Sequence, residues 1–257
     1  MKRLRPPALK FHATGHAFGQ RLAVDQLNLE IPAGEFVALV GPSGCGKTTI
    51  LNLAAGLLTP TAGAVESFGQ PLAGLNPHVS YLFQQDALLP WKTLAENIAL
   101  AATFAGRDGQ GEAHQWLTRL GLEGFGDYYP AQASGGMRKR VALAQQWIPR
   151  RPLLLMDEPF SALDIHTRQR METELLHLWD TDRRTVLFVT HDLEEAIALA
   201  GVVCVLSAGP ASTIITTYAI DLPRPRAIAE LRLDPQFQEL YRRIWNDLRP
   251  EVLRSHA

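Results

Sequence analysis

"EFVALVGPSGCGKTTILNLAAGLL", residues 35–58, decides the fold. Glu35–Val40 is almost wholly apolar after its first residue, as a strand covered on both faces must be. "GPSGCGKTT" follows and fits G-x-x-x-x-G-K-[ST]. Thr48–Leu58 then carries Ile50, Leu53, Ala54 and Leu57 on one side of an expected helix. A glycine-rich loop between a buried strand and a helix is a phosphate cradle. Gly41, Gly44 and Gly46 let the backbone close in on the anion, and Pro42, Ser43, Cys45 and Thr49 complete the loop. Its N–H groups and the helix start point at negative charge. Lys47 supplies a point charge for the β/γ-phosphates, and Thr48 a hydroxyl for Mg²⁺.

Outward from this stretch, strands and helices alternate. "LNLEI" (27–31) reads as a half-buried strand within a strand-rich start (8–34), and "VSYLFQ" (79–84) as another strand. Residues 93–150 change character: "TLAENIALAATFAG", "GEAHQWLTRLGL" and "MRKRVALAQQWI" all have helical spacing. "PLLLMDEP" returns to a buried strand; a helix with Met171, Leu175 and Trp179, the strand "TVLFVTH", the helix "LEEAIALA" and the strand "VVCVLSAG" follow. Alternation of this kind predicts an α/β fold with a mostly parallel sheet, into which the 93–150 helices are inserted. From Asp234 a last helix aligns Phe237, Leu240, Tyr241, Ile244 and Leu248.

The 257 residues carry 25 Lys+Arg against 26 Asp+Glu, which argues against a mainly electrostatic nucleic-acid binder. Two cysteines, Cys45 in the loop and Cys204 in an apolar run, predict no disulfide framework and fit a reducing compartment. The basic N-terminus has no apolar core after it, so no signal peptide is expected. No run approaches the roughly 20 apolar residues that span a bilayer. Work at a membrane would need another chain to cross it.

Five further sites carry chemistry. Asp157, ending a buried strand in "LLLMDEP", can hold Mg²⁺ directly or through water. Glu158 points elsewhere and can polarise a water against the γ-phosphate. His191, at a strand tip, can donate to that phosphate. Gln84 and Gln85 either offer amide oxygens to Mg²⁺ or are solvated loop residues, and Phe18 either stacks on adenine or is core. "ASGGMRKRVALAQQ" (133–146) raises a question, since Ser134, Gly135 and Gly136 open a helix whose start would welcome a second anion.

Taken in order, "GPSGCGKTT", "FQQ", "ASGGMRKRVALA", "LLLMDEPFSALD" and "VTHD" closely resemble the ATP-binding subunit of ABC transporters, over nearly the whole chain. The resemblance implies a P-loop core, an N-terminal antiparallel β subdomain and an inserted helical subdomain. It divides one ABC ATPase domain into core and β subdomain (1–92, 151–220), helical subdomain (93–150) and tail (221–257). Two copies would pair head to tail, each binding Mg-ATP between its own loop and the neighbour's Ser134–Gly136, with Ser161–Asp164 along the seam. Asp164 would then join the nucleotide site, and Gln84 would link that site to transmembrane permease subunits through "DALLPW".

"DALLPWKTLAENIAL", "THDLEEAIALA" and "IDLPRPR" with a short final helix resemble the ATPases of nitrate, sulfonate and taurine importers. That implies a peripheral protein on the cytoplasmic face of the membrane, a separate solute-binding protein, and no nucleic acid. An export or lipid-trafficking ATPase, or a non-transport one, is the alternative. Ala133, Lys139, Gln145 and Gly201 depart from the family's usual residues.

Overall fold

Alternation along one short strand organises the interior. The computed structural model describes residues 6–161 and 163–255. In β3 (Phe36–Val40) every side chain is buried. Phe36, Ala38 and Val40 face one apolar core and Val37 and Leu39 the other, because successive side chains point to opposite sides of a sheet.

β3 lies within a six-stranded sheet of order β10-β9-β3-β8-β7-β6. Its strands are β6 (Val79–Leu82), β7 (Leu153–Asp157), β8 (Thr185–Thr190), β9 (Val202–Leu206) and β10 (Ile214–Ala219). All neighbours pair in parallel except β10 with β9. A second, antiparallel sheet of order β2-β1-β4-β5 holds β1 (Leu9–Phe18), β2 (Arg21–Ile31), β4 (Ala62–Ser67) and β5 (Gln70–Pro71). Leu9, Phe11, Leu27 and Ile31 of that sheet share the Val37/Leu39 core with α1 (Lys47–Ala55). The expected α/β architecture is therefore present, with its mostly parallel sheet and N-terminal antiparallel sheet.

The other core takes the helices. Between β6 and β7 come α2 (Leu94–Phe104), α3 (Gly109–Arg119) and α4 (Gly135–Trp147). Thr93 opens α2 with a reciprocal cap, its side chain accepting from the Glu96 N–H while the Glu96 carboxylate accepts from the Thr93 N–H. After β7 come α5 (Ile165–Thr181), α6 (Leu193–Leu199), α7 (Ile228–Leu231) and α8 (Pro235–Ser255).

Three expectations are corrected. The helix after the loop stops at Ala55, because Gly56 takes a left-handed φ of 70° and a Cβ there would sit 1.8 Å from the Gly74 carbonyl oxygen. Leu57 consequently lies outside the helix, 50% exposed. The strand read as 79–84 ends at Leu82, leaving Phe83 and Gln84 exposed beyond the ladder. The final helix is not short: α8 has 21 residues, and Phe237, Leu240, Ile244 and Leu248 bury one stripe of it.

The "IDLPRPR" segment has a structural task. Arg226 is buried and donates to the carbonyls of Ile197, Ala198, Ala200 and Ile220, so it closes the open C-terminal end of α6. Burial pushes its pKa down to about 10.

Candidate functional site

The C-terminal ends of β3, β6, β7 and β8 lie side by side, since Val40 pairs with Thr190, Asp157 with Val189 and Leu82 with Met156. Ligands of open α/β sheets bind beyond such ends. Here those ends bring together the Gly41–Thr49 loop, Asp157, Glu158, His191 and, one strand further out, Gln84.

The loop is built from positions that exclude side chains. Gly44 and Gly46 have φ of 75° and 94°, the region that favours glycine. A Cβ on Gly41 would meet the Cys45 sulfur at 2.8 Å. Lys47, 6% exposed, folds back so that its Nζ donates to the carbonyls of Gly41 (2.8 Å) and Pro42 (2.9 Å). Cys45 fills the space beneath, and burial raises its thiol pKa. Pro42 is buried, Ser43 and Thr48 are exposed, and Thr49 is half-buried.

Asp157 ends β7 and is buried. Burial raises its pKa, and the adjacent Thr48 hydroxyl and Lys47 charge only partly oppose that. Glu158 follows with φ 42°, held there by its N–H donating to the Val189 carbonyl at 2.9 Å. The reversal sends its carboxylate away from Asp157. Oε2 lies 3.0 Å from Nδ1 of His191, and Oε1 lies 4.0 Å from Nζ of Lys47. An anion in the loop would therefore have an ammonium, a carboxylate and an exposed imidazole around one edge. Thr48 and Asp157 are hard oxygen donors set against a phosphate cradle, a donor set that fits Mg²⁺, which binds through one or two carboxylates plus phosphate oxygens.

Phe18, 53% exposed, ends β1 and makes an edge contact with His16, their centroids 4.6 Å apart. It is not a core residue. Its hairpin reaches the loop, since a Cβ on Gly46 would lie 3.1 Å from the Ala23 carbonyl.

The Ser134–Gly136 helix start gathers with a different set. Ser134 is exposed and caps α4, accepting from the Met137 N–H at 3.2 Å. A Cβ on Gly136 would sit 2.6 Å from the methyl of Thr167 in the first turn of α5. Asp164 caps that same helix through the Thr167 N–H at 3.0 Å, and this hydrogen bonding lowers its pKa. No hydrogen bond or ion pair among the described residues ties Ser134, Gly135 or Gly136 to the Gly41–Thr49 loop. Ala162, in the middle of the expected seam, lies outside the described residues.

Sequence reasoning passed over the residues that join these groups. Arg168 donates to the carbonyl of Leu163 (3.3 Å) and to Asp192 (3.0 Å), the neighbour of His191. Asp192 caps α6, and the Thr190 hydroxyl donates to the buried Glu195 at 2.7 Å. The acid three to four residues past "TH" was the available signal. A separate cavity of about 440 Å³, lined by Arg107, Trp116, Arg150 and Arg184 among others, takes no part in this site.

The ABC transporter family profile matches residues 24–161. The aliphatic sulfonates import ATP-binding protein SsuB of Shigella flexneri is 42% identical over 97% of this chain and 96% of its own length. An uncharacterized ABC transporter ATP-binding protein of Methanocaldococcus jannaschii, MJ0412, is also 42% identical, over 91% of this chain and 86% of its own. The chain belongs to the ABC transporter ATP-binding family. The cassette MJ0796, solved as a dimer in a post-hydrolysis state with ADP and Pi, superposes with a TM-score of 0.72 at 30% identity, covering 84% of this chain and all of that one. This ABC cassette is an ATPase, and ATP is its nucleotide. Among the described residues no helix is long and apolar enough to cross a membrane.

Proposed function

We propose that this ATPase drives uptake of a small organic or inorganic anion of the nitrate, sulfonate or taurine type. It works as a head-to-tail pair beneath separate permease subunits, on the cytoplasmic face of the cell membrane, with a separate solute-binding protein delivering the anion. Identity of 42% to a sulfonate import subunit over 97% of the chain supports the solute class.

The second cradle carries the pairing. Ser134 is exposed, and a Cβ on Gly135 would meet nothing nearer than an Arg138 side-chain nitrogen at 3.9 Å. Gly135 is also absent from the residues with positive φ. Neither space nor backbone inside the chain asks for glycine there, so the demand comes from outside, as it would if a neighbour's triphosphate lay against this backbone. Ser134, Gly135, Gly136 and Asp164 then complete the partner's site.

In a chain's own site, Lys47 and the N–H groups of Gly41–Thr49 hold the phosphates. Thr48, Asp157 and Gln84 would hold Mg²⁺, which when bound neutralises charge on the phosphates. Glu158 orients the attacking water and accepts its proton. His191, fixed by Glu158, donates to the γ-phosphate. Phe18 stacks on the adenine. The "DALLPW" segment after Gln84, residues 86–91, meets the permease; residues 93–150 form the helical subdomain, with core and β subdomain at 1–92 and 151–220 and the tail at 221–257.

Size measurement with ATP tests the pairing. Glu158→Gln is expected to form an ATP-loaded dimer, and the added Ser134→Arg to leave it monomeric with nucleotide still bound. A Ser134→Arg chain that dimerises normally with ATP would overturn the reading. Sulfonate uptake by cells carrying the matching permease would fix the solute.

A further inference from the structure

Lys139 stands where the family usually has glutamine, and what it touches is specific. It is 5% exposed, in the second turn of α4. Its ammonium donates to the backbone carbonyl of Gln84 and lies 3.1 Å from Oδ1 of Asp86. The preceding Arg138 donates from Nε to the other oxygen of Asp86 at 3.0 Å, and from Nη1 to the carbonyl of Ala133 at 2.7 Å. Two consecutive basic side chains thus close on one carboxylate. A continuous chain of contacts runs from Gln84 through Lys139, Asp86 and Arg138 to Ala133, the residue before Ser134.

We propose that Asp86 is a positioning residue that makes the Gln84 loop and the Ser134–Gly136 helix start move as one body. This rests on the head-to-tail reading above. Gln84 belongs to the chain's own nucleotide and Ser134 to the neighbour's. A nucleotide that draws Gln84 inward therefore also places the half-site this chain presents across the seam. Filling one pocket prepares the other, and ATP hydrolysis becomes cooperative through this carboxylate. The contact spans 52 residues of sequence between Asp86 and Arg138, so no local turn or cap accounts for it. Asp86 itself touches no phosphate or metal in this scheme.

The test uses the full chain with Asp86→Ala, Asp86→Glu and Lys139→Gln. Nucleotide affinity is measured on dilute monomer, and hydrolysis against ATP concentration at high protein. The wild type is expected to show a Hill coefficient above about 1.5, the ceiling being the two sites of the pair. Asp86→Ala should bring it to about 1 and lower the maximal rate roughly tenfold, while monomer affinity stays within about twofold. Asp86→Glu, which keeps both partners, should restore most of the cooperativity. Lys139→Gln, which leaves the Arg138 pair, should fall between; it also serves if Asp86→Ala does not fold.

A cooperative wild type matched by equally cooperative Asp86→Ala and Lys139→Gln overturns the latch and spares the pairing. A non-cooperative wild type that stays monomeric with ATP overturns both. Loss of monomer affinity in Asp86→Ala would make the carboxylate part of the chain's own binding site and overturn the positioning role.

Discussion

Gly41–Thr49 and Ser134–Gly136 each open a helix, whose first backbone N–H groups have no partner within it, but their surroundings differ. The first lies where four parallel strands end, with Lys47, Asp157, Glu158 and His191 within reach of one another. Its glycines are required by the chain itself, through positive φ at Gly44 and Gly46 and contact at Gly41. The second gathers with Asp164, which caps α5 through Thr167, and no hydrogen bond or ion pair among the described residues ties it to Lys47, Asp157, Glu158 or His191. Only Gly136 is required internally, by Thr167. A site whose every part has a reason inside the molecule is complete; on the pairing proposed above, a site with an unexplained glycine and an exposed cap is half of one.

Mutations can break that contrast. The largest effect is expected at the first cradle: Glu158→Gln should bind ATP yet release phosphate roughly 10²–10⁴-fold more slowly, as loss of a general base does. Single-turnover phosphate release measures it, and unchanged turnover would mean the base lies elsewhere.

The next effect concerns what stands behind His191. Glu172 and Glu195 are fully or almost fully buried, and burial raises both to about 7 from an ordinary 4.5, despite Arg232 and Arg168 nearby. Between about 4.5 and about 7 the folded chain holds protons that the unfolded chain has released. Stability therefore falls as pH rises through that window, by on the order of 2–3 kcal/mol per group before their mutual coupling. Glu195→Gln should flatten this slope and raise Tm at pH 8 relative to wild type, as thermal melts across pH would record.

A matched pair sharpens the contrast at the second cradle. Gly136→Ala should cost about 1–3 kcal/mol in urea melts, because the methyl has nowhere to go beside Thr167. Gly135→Ala should stay within about 0.5 kcal/mol of wild type, because its methyl would meet nothing nearer than 3.9 Å and its φ is not left-handed, yet hydrolyse ATP more slowly at high protein concentration. Equal stability losses at the two positions would remove the argument from Gly135. Smallest of all, Phe18→Ala should weaken ATP binding by about 1 kcal/mol, the low end for base stacking on an aromatic ring, with Tm unchanged.

Much of the first cradle could be read from residue order because its chemistry is local. A loop that wraps phosphate needs its glycines, lysine and hydroxyl within a few positions, and the strand before it is nearly pure hydrocarbon. Asp157 and Glu158 were legible for the same reason. What eluded reading was made by distant partners. Asp86 with Arg138 and Lys139, and Arg226 on the end of α6, involve side chains brought together only by the finished fold. Strands β4 and β10 were also missed. β4 is mostly exposed at its start and bends at Gly63, where φ is 69°. β10 alternates half-buried with exposed residues, so "IITTYA" carried a two-residue period that went unused.

Lys47 has a consequence of its own. The residue is only 6% exposed, and its ammonium commits two of its three donors to carbonyls at 2.8 and 2.9 Å inside the loop. Arrival of a triphosphate is then an exchange of ligands around one nitrogen rather than the filling of a void. The loop is discriminating before it is strong: only an anion that also reaches the surrounding N–H groups gains enough to lift the lysine from its resting place.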